Sequence, residues 1–146
     1  MFKTLRTLLT LLIVAGYSSA YADLAIIAHP DYQGGDLTKE MVKELFLGTQ
    51  QTFPSGHKAT PANHASGSPD RNAFFEYVLE MSETRHKRYW ARKVSIGKKG
   101  APKELVSNKE VLTWIKSSPL GITYIDKTKA DDSVKVLLTV TVFDDL

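Results

Sequence analysis

Apolar positions along the chain follow two rhythms. Residues 24–28 (LAIIA) form a continuous apolar run ahead of His29 and Pro30, the pattern of a strand buried on both faces. Residues 121–125 (GITYI) alternate, and residues 134–142 (VKVLLTVTV) make a longer β-rich run, so both read as strands. Between them the spacing turns helical. Thr38 caps a helix with Glu40 in its first turn, Met41, Val42, Leu45 and Phe46 on one face, and Gly48 as its stop. Ser68 caps a second, with Pro69 at the first helical position and Phe74, Phe75, Val78 and Leu79 on the inner face as far as about Glu80. Ser82 caps a third through about Lys93, in which Tyr89 or Trp90 and Val94 are the expected buried residues. Ser107-Asn108-Lys109-Glu110 is a capping box, followed by Val111, Leu112 and Ile115 and ended by Pro119.

The connectors are polar and turn-prone. Residues 31–36 contain Gly34 and Gly35, residues 50–56 have Phe53 as their one apolar anchor, and residues 95–102 form a glycine-bounded loop. Residues 57–62 read as a weak strand that Pro61 makes less regular. Strands interleaved with helices predict an α/β domain, a small mixed sheet flanked by helices. Periodicity does not give the strand order.

Residues 1–22 change the count of what folds. Lys3 and Arg6 precede the apolar residues 8–16, and Ala20-Tyr21-Ala22 has the small-x-small form of a cleavage site, so this stretch reads as a secretory signal peptide. The apolar run is short for a membrane span, which predicts removal at Asp23, a periplasmic product without stable membrane insertion, and one domain over residues 23–146. The absence of cysteine excludes disulfide staples and a lipid-modified cysteine anchor. Without the leader the 19 basic residues fall to 17 against 16 acidic, a net charge of +1, which argues against nucleic acid as a partner.

Candidate chemistry concentrates at residues 66–71 (SGSPDR), where a polar loop enters the second helix. A helix start offers free backbone N–H groups and a partial positive charge, so Ser66, Gly67 and Ser68 with the nearby Arg71 form a candidate oxyanion site. The plainer reading makes Ser68 only a cap and pairs Arg71 with an acid such as Asp70, Glu40 or Glu44. Lys98 and Lys99 read either as a solvated pair or as a lid over an anion. Ser66, Ser68, His64, His57 and Asp70 supply the residue types of a hydrolytic triad but no G-x-S-x-G elbow, so no catalytic residue is assigned. The four histidines lack metal-ligand spacing, and no metal or other cofactor is expected.

Taken in order, LAIIAHP, LTKEMVKELFLG, the Phe53-Pro54-Ser55-Gly56 turn, SGSPDRNAFFEYVL, IGKKGAPKEL and EVLTWIKSSPLGITYID resemble the phosphate-type substrate-binding proteins of ABC transporters, in the type II periplasmic-binding superfamily. The resemblance spans roughly residues 24–137. It implies an exported, non-enzymatic substrate-binding-like fold, a phosphate-like ligand, a role in phosphate transport and an ABC transporter as partner. Whole members have two lobes around a cleft, whereas this chain has length for one. Against the family's R-x-D-G-S-G-T anion motif the chain reads Asn63-His64-Ala65-Ser66-Gly67-Ser68-Pro69, with Asn63 at the arginine position and Arg71 one turn later. The expected ligand set is therefore Asn63, Ser66, Gly67, Ser68 and Arg71. The alternative is an envelope protein-interaction module that keeps the fold without the ligand site, with Arg85, Arg88 and Arg92 as its basic surface.

Overall fold

A computed structural model describes residues 22–143. Apart from Ala22, the leader expected over residues 1–22 lies outside the described residues. Five strands, β1 (Leu24–Ala28), β2 (Thr60–His64), β3 (Lys103–Leu105), β4 (Gly121–Asp126) and β5 (Lys135–Val140), form one mixed sheet in the order β3-β2-β4-β1-β5. β2 runs parallel to both β3 and β4, and β1 runs antiparallel to β4 and β5. Four α-helices flank it: α1 (Lys39–Leu47), α2 (Pro69–Phe74), α3 (Glu83–Ser95) and α4 (Asn108–Lys116). The α/β class with a small mixed sheet is as the sequence pattern implies.

β1 shows why its apolar run is unbroken. Leu24, Ile26 and Ala28 join Phe46 of α1 and Phe74 of α2 on one face, while Ala25 and Ile27 meet Val111 and Ile115 of α4 on the other. A central strand with helices on both sides has no solvent face, so no polar alternation survives. Each large side chain buried there contributes roughly 1.5–3 kcal/mol relative to exposure.

Local signals set the helix ends. Thr38, Ser68, Ser82 and Ser107 all accept a backbone N–H of the first turn, and Gly48 closes α1. In the capping box, Glu110 Oε2 accepts from Val106 N at 2.8 Å, one residue before the cap. Gly121 begins β4 where a Cβ would lie 2.9 Å from Ser118 Cβ and 3.0 Å from Trp114, so the α4–β4 turn closes only around glycine.

Four expectations need correction. β2 lies later than residues 57–62 and occupies an interior position despite Pro61, so Asn63 and His64 are strand residues rather than loop. β3 was not anticipated, because three residues of KEL carry no period. The helix begun at Pro69 changes to a π-helical turn over Phe75–Leu79 and stops at Glu80 in the left-handed region, φ 54°. In α3 the fully buried residue is His86, Tyr89 and Trp90 are half-buried, and Val94 is 53% exposed. This helix is held at a few points, notably Tyr89 Oη donating to Leu47 O at 2.5 Å and Trp90 beside Gly48.

Candidate ligand-binding site

The turn from β2 into α2 is built by interlocking polar contacts. Ala65 N donates to Leu105 O at 2.9 Å, anchoring the end of β2 to β3, and Ser68 N donates to Ala65 O at 3.2 Å. Gly67 sits between them at φ 88°, a conformation with a steric cost for any side chain. Ser68 Oγ accepts from Arg71 N at 3.4 Å as the cap, and Asp70 Oδ2 accepts from Asp126 N at 3.0 Å, tying the helix start to the end of β4.

Beneath this turn lies a buried polar stack. Tyr124 of β4 donates its hydroxyl to Asn63 Oδ1 at 3.1 Å and accepts from His64 N at 3.1 Å. Its ring stacks with His64, centroids 4.6 Å apart, and with Phe74 at 4.0 Å. Burial pushes the Tyr124 phenol well above its usual range, so it stays a donor. His64 Nε2 lies 2.5 Å from Tyr124 O, which requires the proton on Nε2 and leaves Nδ1 as the acceptor for Ser68 Oγ at 3.3 Å. Burial lowers the His64 pKa against the opposing pull of the Tyr124 carbonyl and Asp70, favouring the neutral ring.

Ser68, His64 and Asp70 thus come together, but not as a relay. Asp70 Oδ2 is 3.9 Å from the same Nδ1 that faces Ser68, and Nε2 is taken by a backbone carbonyl. A triad needs its acid and its nucleophile on opposite ring nitrogens. Here the hydroxyl and ring nitrogens are spent on closing the turn. His57 lies elsewhere, exposed beside Ser55.

Arg71 is 3% exposed. Its Nε and Nη2 donate to the two carboxylate oxygens of Glu83 at 2.6 and 2.8 Å, and its Nη1 donates to His64 O at 2.8 Å and Glu104 Oε1 at 3.2 Å. The guanidinium lies 4.4 Å above the Phe75 ring. Hydrogen bonding to Arg71 holds the Glu83 carboxyl below its usual range, and Glu83 raises Arg71 in turn. One cation faces two acids, so the pairing joins α2, α3 and β3. None of Asp70, Glu40 and Glu44 is the partner; Glu83 and Glu104 are distant in sequence, and no local spacing marks them.

Of the expected ligand residues, Asn63 and Arg71 are buried and bonded within the chain, Ser68 is partly buried as a cap, and Ser66 and Gly67 are exposed. An open depression of about 600 Å³ beside Ser66 is bordered by Arg71, Lys87, Glu83 and Glu104. Lys98 and Lys99 border a different cavity, at the opposite end of β2. Among the described residues, no three acidic or histidine side chains are grouped to hold a metal ion.

No protein-family model matches the sequence. Solved structures do match the fold. A protein from Clostridium perfringens assigned as a phosphate ABC transporter substrate-binding protein, with bound phosphate, aligns at TM-score 0.59 and 20% identity over 80% of this chain and 44% of its own. An ABC-type phosphate transport receptor from Vibrio cholerae aligns at TM-score 0.63 and 17% identity, covering 80% and 45%. The chain has the fold of phosphate-type substrate-binding proteins. PstS from Borrelia burgdorferi gives TM-score 0.59, 16% identity, 80% and 46%. The chain thus spans less than half the length of the substrate-binding proteins it matches.

Proposed function

We propose that this chain is an exported, non-enzymatic binding module of the periplasmic-binding kind that engages a protein partner in the cell envelope. The observation carrying this reading is the commitment of Arg71 to Glu83, Glu104 and the His64 carbonyl. An incoming oxyanion would have to displace a bidentate carboxylate and would meet a second one, and in a single lobe it would remain partly solvated. The partner surface is the outer side of α3, where Arg85, Arg88 and Arg92 line a groove with Met81 and Tyr89. An ABC transporter subunit is one class of partner consistent with the shared fold.

Affinity capture from an envelope extract tests this reading. The expected result is a specific protein whose capture is lost when Arg85, Arg88 and Arg92 are changed to glutamate; background alone would overturn it. Calorimetry with phosphate and sulfate should give no binding heat at millimolar ligand.

The second reading is a small oxyanion, phosphate-like, held by Ser66, Gly67 and Ser68 with charge from Arg71. It is supported by the exposure of Ser66 and Gly67 at a strand-to-helix turn. Saturable phosphate binding by the unmodified chain, weakened by Ser66→Ala, would put this reading in place of the first.

A further inference from the structure

The end of α3 opposite Arg71 carries charge of another kind. Residues 83–100 hold seven basic side chains and one acidic, whereas the rest of residues 23–146 holds ten basic and fifteen acidic. The cationic stretch ends in a defined loop: Gly97 N donates to Val94 O and Lys98 N to Lys93 O, both at 3.0 Å. A Cβ on Gly100 would lie 3.7 Å from Val94 Cγ2, so the loop folds back against the last turn of the helix. Lys93, Lys98 and Lys99 of this tip face Lys58, from the connector before β2, across an open cavity of about 460 Å³. Its walls include Trp90, Leu45 and Pro61 and, among the described residues, contain no carboxylate. Among the described residues none of these four lysines has an acid partner. Beside the lysines, Val94 is 53% and Ile96 67% exposed.

We propose that this tip docks on an anionic phospholipid surface, the lysine-ringed cavity receiving a phosphodiester headgroup while Val94 and Ile96 enter the interfacial layer. Apolar side chains set among lysines match both layers of such a surface: the headgroups draw in the cations, and the acyl boundary takes the aliphatic groups. A solvated basic helix has no use for a carboxylate-free concavity or for exposed aliphatic residues at its end. The contact is peripheral, since no described helix is long and apolar enough to cross a membrane. It lies at the opposite end of β2 from residues 66–71 and does not depend on the reading of that turn.

Sedimentation of the processed protein with phosphatidylcholine vesicles, with and without about one third phosphatidylglycerol, tests the proposal at neutral pH. Binding is expected only with the anionic lipid and should fall steeply with salt. Each lysine near the surface is worth roughly a fivefold change, so Lys98→Glu with Lys99→Glu should weaken binding by at least about twentyfold. Ile96→Ser, which alters no charge, should weaken it several-fold. Lys58→Ala separates the cavity from general attraction: it should cost about fivefold, while Lys109→Ala, outside the cavity, should cost little. Circular dichroism checks that each variant is folded. Equal sedimentation with both vesicle types, no binding at low salt, or equal effects of Lys58→Ala and Lys109→Ala would overturn the proposal. The assay contains no other protein, so its failure is distinct from failure to capture an envelope partner.

Discussion

The two ends of α3 use charge in opposite ways. At its start Glu83 reaches across to Arg71, which is buried, stacked on Phe75 and bonded to two acids and a carbonyl. At its end Lys93, Lys98 and Lys99 stand around an open cavity with no acid in its walls among the described residues. A buried cation must be paired because burial removes its hydration, and the pairing then fixes the elements that supply the partners. An exposed cation keeps its water and contributes little to folding, which leaves it free to meet something else. The contrast teaches that the arginine at the turn where a ligand is expected is already bonded to Glu83, Glu104 and a carbonyl, while cations without an acid partner among the described residues lie elsewhere.

The sharpest way to break the contrast is to remove Arg71. Arg71→Ala strips the cation from between α2, α3 and β3 and leaves the His64 carbonyl without its donor; urea denaturation should show a loss of about 3 kcal/mol. A variant as stable as the parent would mean that the pairing is not structural. Tyr124→Phe keeps the stacked ring but orphans Asn63 Oδ1 and His64 N, and the same measurement should read about 2 kcal/mol.

Acid should attack the Arg71 end and spare the lysine tip. His64 and His86 have pKa values lowered chiefly by burial, so the unfolded chain binds more protons than the native one once pH falls below their usual value of 6.5. Their contribution is complete above that pH and is lost progressively as pH drops toward the lowered values. The Glu83 contribution is present above its usual 4.5 and disappears as pH falls through its depressed value. Urea midpoints followed with pH should therefore decline in two stages, and His64→Gln should flatten the first. The smallest expected effect is the most discriminating. Lys98→Glu with Lys99→Glu should leave stability within about 0.5 kcal/mol of the parent, while vesicle binding is expected to weaken by at least about twentyfold.

Much of the architecture was legible in the chain. The unbroken apolar run of β1, the four serine or threonine caps and the Gly48 stop are local features whose physics acts over a few residues, and they appear where the pattern puts them. β3 and the late start of β2 were not legible, because Lys103–Leu105 and Asn63-His64 join the sheet through neighbours far away in sequence rather than through their own propensity.

The turn at residues 66–71 divides the same way. Sequence alone determined that a helix starts there, with Ser68 as cap and Pro69 at its first position, since capping needs only the next three residues. Tertiary structure alone decided which groups Arg71 bonds. Its fate depended on which carboxylates the fold would bring within 3.2 Å, and Glu83 and Glu104 arrive from elements 12 and 33 residues away. Long-range pairing of this kind leaves no periodic trace, because electrostatic contact depends on distance in space and not on distance along the chain.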